Sequence, residues 1–363
     1  MKSMIWLGLD VHAASITIAR YDGDATKGSV TTIVNTPTAV RRFVQRLPAS
    51  PPVRACYEAG PCGYVLQRQL TALGIACDVV APALIPRRPG ERIKTDRRDA
   101  DKLARYYRAG DLTRITVPTV AQEAVRDLIR ARDDARCDRT AARQRLVKFL
   151  LRQGQRHPGR QWTKQFRAWV RAQRFAGPTQ VVFEYYCAQV ATLDERLTQL
   201  ERAILELAAT PELAPVITRL SCLRGVAPLS AMVVMAELYD LRRFATPREL
   251  MAFVGLVPSE HTSGPRHRRG HITKTGNSLA RRLLIEAAWS YRHTARNTDR
   301  ARRLLRTQPP AVRAITERAL HRLTRRYRRL LGRGKPSTVA VTAVARELCG
   351  FVWALARTEA AAA

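Results

Sequence analysis

Acidic side chains are scarce in this sequence. It contains 30 Asp and Glu residues against 63 Lys and Arg, which gives a formal net charge of +33. Most of the basic residues are arginine, whose planar guanidinium group suits bidentate contacts with phosphate. Such a surplus, spread along the chain, far exceeds what solubility requires and predicts a polyanionic partner such as a nucleic acid.

Long apolar runs and paired cysteines are also missing. The longest apolar candidate, 225–238, contains Pro228 and Glu237 and falls short of the roughly 18 residues that a membrane-spanning helix needs. The apolar run 4–9 is short and ends at Asp10, which is not typical of a signal peptide. The 7 cysteines include no CxxC and no paired His spacing. These features predict a cytoplasmic protein with reduced thiols and no membrane attachment.

The first 118 residues alternate between short apolar runs and amphipathic stretches. The patterning predicts two helices, at 36–47 and 63–73, and a third that begins after Thr95. The predicted strands lie at 4–11, 16–19, 28–35, 53–57 and 77–80. Three strands, then helix, strand, helix, strand and helix is the order of the ribonuclease H-like (RuvC-like) fold. We therefore predict an α/β domain of that class over residues 1–118.

Four acidic residues stand where that fold carries functional acids. Asp10 interrupts the first strand, Glu58 ends the fourth, and Asp96 and Asp99 open the third helix. By themselves, the two helix acids among basic neighbours are more typical of a surface lattice of ion pairs than of a metal site. An aspartate inside an apolar strand, however, is costly to desolvate unless something compensates its charge. Together the four acids favour a site for two Mg²⁺ ions, with Mn²⁺ as an alternative.

Residues 119–212 are predicted to form a long helical connector. Apolar residues recur along 121–152 and again along 186–207, which is typical of two long helices with one apolar seam each. The two seams fit an antiparallel coiled coil within the chain or packing against another subunit.

A basic aromatic patch separates these two helices. Trp162 and Trp169 are seven residues apart, so they share one helical face, and packing in a core is the ordinary interpretation. Lys164 and Arg167 lie between them, which makes stacking on single-stranded bases the functional alternative. We treat both cations as candidate nucleic-acid-binding residues.

Residues 213–357 are predicted to form a mainly α-helical domain, followed by a disordered tail at 358–363. The segment 223–231 has the form of a helix-hairpin-helix turn, in which Gly225 permits the bend and backbone N–H groups could bind phosphate. Residues 255–265 are predicted to be a loop.

Ser263 lies in that loop and would ordinarily be a turn residue. Its basic surroundings could hold a scissile phosphate and stabilise its developing charge. His261 is the nearest candidate base. The candidate nucleic-acid-binding residues of this region are Arg266, Arg268, Arg269, Lys274, Arg281 and Arg282.

Five short motifs, taken in order, resemble those of the DEDD transposases of the insertion sequence 110 family. The resemblance covers essentially the full length of the chain. The motifs are Gly8-Leu9-Asp10, Tyr57-Glu58-Ala59, Lys94-Thr95-Asp96-x-x-Asp99-Ala100, Gly255-Leu256-Val257-Pro258 with Ser263-Gly264, and Thr273-Lys274-x-Gly276-Asn277.

The resemblance implies a RuvC-like domain joined by a coiled coil to a transposase domain. It implies that Asp10, Glu58, Asp96 and Asp99 bind metal, and that a serine becomes joined to DNA. That serine maps to Ser263, with Ser259 as its neighbouring alternative. It further implies donor and target DNA, an element-encoded guide (bridge) RNA, a homo-oligomer up to a tetramer, and a prokaryotic, nucleoid-associated location.

Two other functions stay open from the residues alone. A metal-dependent nuclease of the Holliday-junction type would attack with activated water and use the second domain only to bind DNA. A purely structural protein would bind nucleic acid without cutting it, and its affinity would fall steeply with salt.

Overall fold

The computed structural model describes residues 4–86, 95–263 and 266–358. Contacts between residues divide the chain into two compact units, Met1–Pro118 and Thr119–Ala363. Residues 359–363 of the predicted tail lie outside the described part.

A mixed sheet organises the first unit. Its order is β3-β2-β1-β4-β5, in which β2 is antiparallel to both of its neighbours and β4 and β5 run parallel to β1. The strands are β1 (Ile5–Val11), β2 (Ser15–Asp22), β3 (Ser29–Val34), β4 (Val53–Glu58) and β5 (Ala76–Val80). The helices are α1 (Pro37–Gln45), α2 (Val65–Ala72) and α3 (Asp96–Ala109). The mixed α/β prediction for this region is thus confirmed.

The two faces of this sheet are covered by different helices. Side chains alternate along a strand, so Leu7 and Leu9 of β1 pack with Val40 of α1 and Leu70 of α2. Trp6, on the opposite face, packs against residues of α3. Gly8 and Asp10 share the α3 face with Trp6.

At Gly8 the third helix almost touches the strand. A Cβ atom on Gly8 would lie 2.3 Å from the carbonyl oxygen of Ala100 and 2.3 Å from the amide nitrogen of Ala104. Both alanines are fully buried. Because the obstructing atoms belong to the backbone, they cannot rotate aside. Glycine on β1 and alanine on α3 therefore set how closely the two elements approach.

The second unit is mainly helical. It contains α4 (Val120–Arg152), α5 (Lys164–Ala172), α6 (Gly177–Ala208), α7 (Ala214–Ser221), α8 (Pro228–Leu238), α9 (Pro247–Phe253), β6 (Pro258–Ser263), β7 (Arg266–Ile272), α10 (Ser278–Ala288), α11 (Asp299–Arg306), α12 (Pro310–Gly332) and α13 (Ser337–Arg357). Short 3-10 turns at Pro82–Leu84, Leu241–Arg243 and Trp289–Arg292 complete the described elements of the chain.

The two long helices α4 and α6 pack side by side in opposite directions. Arg143 on α4 donates to Asp194 on α6 at 2.7 Å, while Arg132, earlier on α4, pairs with Glu201, later on α6. Val190, Leu197 and Ile204, spaced by seven, form the buried seam of α6. The apolar seams of α4 and α6 therefore pack together within one chain.

The aromatic patch is part of a hydrophobic cluster on these helices. Trp162 and Trp169 are half-buried and each lies within 5.6 Å of the ring of Phe166, measured between ring centroids. The guanidinium of Arg143 stacks over Trp162 at 4.7 Å. Packing therefore accounts for both tryptophans.

Among the described helices, α13 is the one long and apolar enough to cross a membrane by length and composition. Its apolar face is core: Val344, Leu348 and Val352 are buried within the second unit. At the border of this face, Glu347 pairs with Arg322 and Arg326 of α12. Core packing therefore explains its composition.

The prediction of a loop over 255–265 was wrong in its second half. Residues Pro258–Ser263 form β6, which pairs with β7 in a two-stranded antiparallel hairpin. The hairpin side chains described are mostly exposed, so no alternation of apolar and polar residues marked the strands. Gly264 and Pro265, which follow Ser263 in the sequence, lie outside the described residues.

The predicted helix-hairpin-helix turn joins α7 to α8. Gly225 has a φ of 83°, and a Cβ there would lie 2.4 Å from the carbonyl oxygen of Ala287 on α10. Arg224 donates to the carbonyl oxygen of Thr294. One side of the turn is thus packed on protein, and phosphate binding by its N–H groups stays a prediction.

We expect Gly8→Ala to destabilise the first unit by about 1–3 kcal/mol, because the new methyl group overpacks two backbone segments that cannot give way. Denaturant unfolding followed by circular dichroism measures the change. Gly332→Ala is the matched control, since nothing lies within 4 Å of a Cβ at Gly332. Equal stability of the two variants would contradict the close approach.

Candidate active site

Two acids meet at one edge of the sheet. In the parallel pairing of β1 with β4, Leu9 lies opposite Tyr57. The next residues along the two strands are Asp10 and Glu58. Because the carboxyl ends of parallel neighbours share an edge and side chains alternate, both acids belong to the α3 side of that edge.

The start of α3 supplies two more acids. Thr95 is the N-cap, and its hydroxyl accepts a hydrogen bond from the amide of Arg98 at 3.3 Å. Asp96 and Asp99 lie in the first turn, where the partial positive charge of the helix N-terminus stabilises carboxylates. The close packing of α3 on Gly8 brings this turn to the end of β1.

His12 joins two of these acids, and the sequence interpretation missed it. Its Nε2 lies 3.3 Å from Oδ2 of Asp10 and 3.6 Å from Oδ1 of Asp96. One ligand atom from each of the three residues lies within 4.8 Å of the others. His12 stands two residues after Asp10, a spacing that keeps one face of a strand. That spacing was the signal available in the sequence.

Glu58 and Asp99, the other two predicted acids, do not share this ligand group. Among the described residues, the close group contains Asp10, His12 and Asp96, without Glu58 or Asp99. The charge of Asp99 nevertheless acts on Asp10 and helps to raise its pKa. The structure therefore puts two of the four acids in one ligand group and a third within electrostatic reach.

Burial is the main reason that the pKa of Asp10 is raised above its ordinary value. The charge of His12 and its hydrogen bond oppose the shift, while the charges of Asp96 and Asp99 add to it. A carboxylate that is partly desolvated beside two other carboxylates is stabilised by any cation that reaches it.

The ligand group fits a divalent metal ion. Carboxylate oxygens of Asp10 and Asp96 and the imidazole nitrogen of His12 are all common metal ligands in proteins. Their separations allow one cation to contact all three. A cation there would also offset the repulsion that raises the pKa of Asp10.

Ser263 lies at the tip of the hairpin in the second unit. It is the last residue of β6, is exposed, and pairs in register with Arg266. His261 precedes it by two residues and pairs with Arg268, so alternation puts His261, Ser263 and Arg268 on one face of the hairpin.

Ser259, the alternative serine, has a different setting. It is half-buried at the base of the hairpin, next to a register shift between Pro258 and Glu260. A Cβ on Gly270 would lie 2.4 Å from its Oγ. The side chain of Ser259 thus lies against Gly270 of β7 and the residue is half-buried, whereas Ser263 is exposed.

Two glycines with positive φ build the base of the hairpin. A Cβ on Gly255 would lie 2.3 Å from the carbonyl oxygen of Thr275, and one on Gly276 would lie 1.9 Å from that of Phe253. The segments that precede and follow the hairpin therefore pack backbone against backbone. Arg281 donates to the carbonyl oxygens of Val254 at 2.9 Å and Thr275 at 2.7 Å, which ties them together.

A buried acid anchors this base to the helices. Asn277 caps α10 by accepting from the amide of Ala280 at 2.8 Å, and it donates to Glu237 at 2.5 Å. Arg130 of α4 donates to both oxygens of Glu237, at 2.9 and 3.1 Å. The side chain of Glu237 is only 1% exposed. Its charge is thus compensated on both sides, as a buried carboxylate requires.

The candidate nucleic-acid-binding cations differ in whether protein groups already engage them. Arg281 is engaged with backbone carbonyls, Arg282 donates to Asp133 at 2.5 Å, and Arg167 lies 3.4 Å from Asp194. The side chains of Lys164, Arg268 and Lys274 are exposed. Those of Arg266 and Arg269 lie outside the described residues.

A mixed sheet of this order, with acids at the shared edge of β1 and β4, is the arrangement of an RNase H-like DEDD domain. The profile of the IS110-type DEDD transposases matches residues 7–153, and that of the transposase IS116/IS110/IS902 family matches residues 217–304. The chain is 45% identical over 320 residues to the Sinorhizobium fredii protein named "Putative transposase y4qE", which covers 88% of this chain and 79% of that protein.

A second relative is the transposase for insertion sequence element IS1533 of Leptospira borgpetersenii. It is 32% identical over 346 residues, which are 91% of this chain and 97% of that protein. This chain belongs to the IS110 family of DEDD transposases. It is therefore an enzyme that acts on DNA.

Replacing Asp10 with asparagine should stabilise the metal-free protein near neutral pH. A raised pKa means that the folded state holds this proton more tightly than the unfolded chain. The carboxyl therefore favours folding most below its ordinary pKa of 3.8, and that contribution is lost as the pH rises through the raised value. Asparagine has no such loss, so its advantage should grow as the pH rises from 3.8 through the raised pKa of Asp10.

Urea unfolding in EDTA at several pH values tests this expectation. Asp24→Asn, at an exposed site of the same unit, is the control. A stability difference between wild type and Asp10→Asn that does not change with pH would contradict it.

Proposed function

We propose that this transposase cuts and rejoins DNA through the hydroxyl of Ser263, with Mg²⁺ or Mn²⁺ held by the acids Asp10, Glu58, Asp96 and Asp99. The observation that carries the proposal is the close group of Asp10, His12 and Asp96 around a carboxyl whose pKa is raised. Ser263 is exposed and shares one face of the hairpin with His261 and Arg268, which supports its role as nucleophile.

In this reaction Oγ of Ser263 attacks the phosphorus of a DNA phosphodiester and loses its proton. The scissile P–O bond breaks, and the departing DNA oxygen takes up a proton. His261 is the candidate acceptor of the serine proton, because it lies on the same face of the hairpin. Arg268, also on that face, would bind the phosphate oxygens. A bound divalent cation would add Lewis-acid stabilisation of phosphate charge.

The covalent phosphoserine keeps the energy of the broken bond for rejoining. A free DNA hydroxyl that attacks this phosphorus releases Ser263 and restores a phosphodiester. Cleavage by activated water would instead lose that energy, so rejoining distinguishes the two mechanisms.

The acids belong to the first unit and Ser263 to the second. We propose a homo-oligomer, from dimer to tetramer, as the family resemblance implies.

Ser263→Ala should abolish the covalent DNA–protein adduct that wild type forms on a nicked suicide substrate. Denaturing gel electrophoresis of labelled DNA measures the adduct. Ser259→Ala is the matched control and should keep it, because Ser259 is half-buried against β7. An adduct in Ser263→Ala that disappears in Ser259→Ala would move the nucleophile. Cleavage without any adduct, sensitive only to Asp10→Asn, would favour the activated-water nuclease.

Helix α12 presents a row of exposed arginines suited to phosphate backbones. Arg318, Arg325 and Arg329 lie within one stripe of its exposed face and have no ion pair among the described residues. Together with the net charge of +33, this row supports the proposal of donor and target DNA and a guide RNA as partners. In a prokaryotic cell the protein would then associate with the nucleoid.

Purified protein should carry one defined RNA species if a guide RNA is its partner. Sequencing of the RNA that copurifies after nuclease trimming identifies the species, and added RNA should then direct strand transfer to matching DNA. The Arg318→Gln, Arg325→Gln, Arg329→Gln variant should retain less RNA, and its binding should depend less on salt. Heterogeneous fragments of ribosomal or transfer RNA alone would count against the guide.

A further inference from the structure

We propose that His12 is a direct nitrogen ligand of the cation held by Asp10 and Asp96, and that it makes the site prefer transition-metal ions over Mg²⁺. The inference rests on the proposed metal-binding function and adds a ligand outside the four acids.

The distances between the ligand atoms support direct coordination. Nε2 of His12 lies 3.3 Å from Asp10 Oδ2 and 3.6 Å from Asp96 Oδ1. Two ligands bound to one cation at about 2.1 Å and separated by about 90–110° lie roughly 3.0–3.4 Å apart. The distance to Asp10 falls within this range and the distance to Asp96 lies just above it, so His12 is close enough to both carboxylates to share a cation with them.

The backbone of His12 is fixed at the turn between β1 and β2. Its N–H donates to the carbonyl oxygen of Ser15 at 2.9 Å, and its own carbonyl accepts from Nδ2 of Asn35 at 2.7 Å. Strand β1 fixes Asp10 two residues earlier. The imidazole therefore starts from an anchored backbone, which reduces the entropy lost when it binds a metal.

The kind of ligand atom determines the preference. Mg²⁺ is a hard ion that favours oxygen and gives up its waters reluctantly, whereas later divalent ions accept imidazole nitrogen readily. Adding one imidazole to two carboxylates should therefore raise the affinity for Mn²⁺ more than the affinity for Mg²⁺. The gain should be larger again for Co²⁺. Removal of the imidazole should weaken binding of these ions more than binding of Mg²⁺.

Mn²⁺ bound to the full-length protein provides a direct test. Electron spin-echo envelope modulation detects a nitrogen nucleus bonded to Mn²⁺. We expect this nitrogen signal in wild type, its loss in His12→Ala, and its retention in His321→Ala, the control at an exposed histidine of α12. Titration should show Mn²⁺ affinity about 10-fold lower in His12→Ala, with a smaller change for Mg²⁺.

His12→Asn guards against a folding defect, because it keeps a polar side chain with an oxygen donor at this position. It should bind metal and shift the preference toward Mg²⁺. Bound Mn²⁺ without a nitrogen signal in wild type would overturn the role of His12 and leave the acidic site standing. No saturable Mn²⁺ binding, or binding that Asp10→Asn leaves unchanged, would overturn the metal site of the proposed function as well.

Discussion

The close approach of α3 to β1 at Gly8 is the contact on which the acidic site depends. A helix normally packs on a sheet through side chains, but here two backbones meet because Gly8 has no Cβ and Ala100 and Ala104 have only small side chains. This contact brings the first turn of α3 to the end of β1. Asp10 and Asp96, 86 positions apart in the sequence, thereby share a ligand group with His12.

The second unit also contains close contacts between backbones at glycine residues. Gly255 and Gly276 let the segments on either side of the hairpin pack backbone to backbone. Arg281 and the buried Glu237 then fix this base to the helices. The base of the hairpin is closely packed, whereas Ser263, the last residue of β6, is exposed. Close backbone packing at glycines thus supports the acids of the first unit and the hairpin of the second.

Much of the fold was predictable because burial leaves a periodic signal. The strands of the first unit and the long helices α4 and α6 bury one face or both, so their apolar residues recur with strand or helix spacing. The described side chains of the β6–β7 hairpin are mostly exposed, and β6 was predicted as a loop. His12 was missed because its spacing of two residues from Asp10 is a weak signal by itself. Its distances from two carboxylates are what distinguish it.

The sequence by itself determined the charge of the chain, the order of its acids along strands and helix, and the family motifs. These properties depend on composition and local spacing. Tertiary structure alone decided which side chains meet. It placed Asp96, but not Glu58, in the close group with Asp10. It engaged Arg281 and Arg282 in contacts within the protein, and it left Ser263 exposed and Ser259 half-buried. Contacts between residues distant in sequence arise only when elements pack, and no local pattern encodes them.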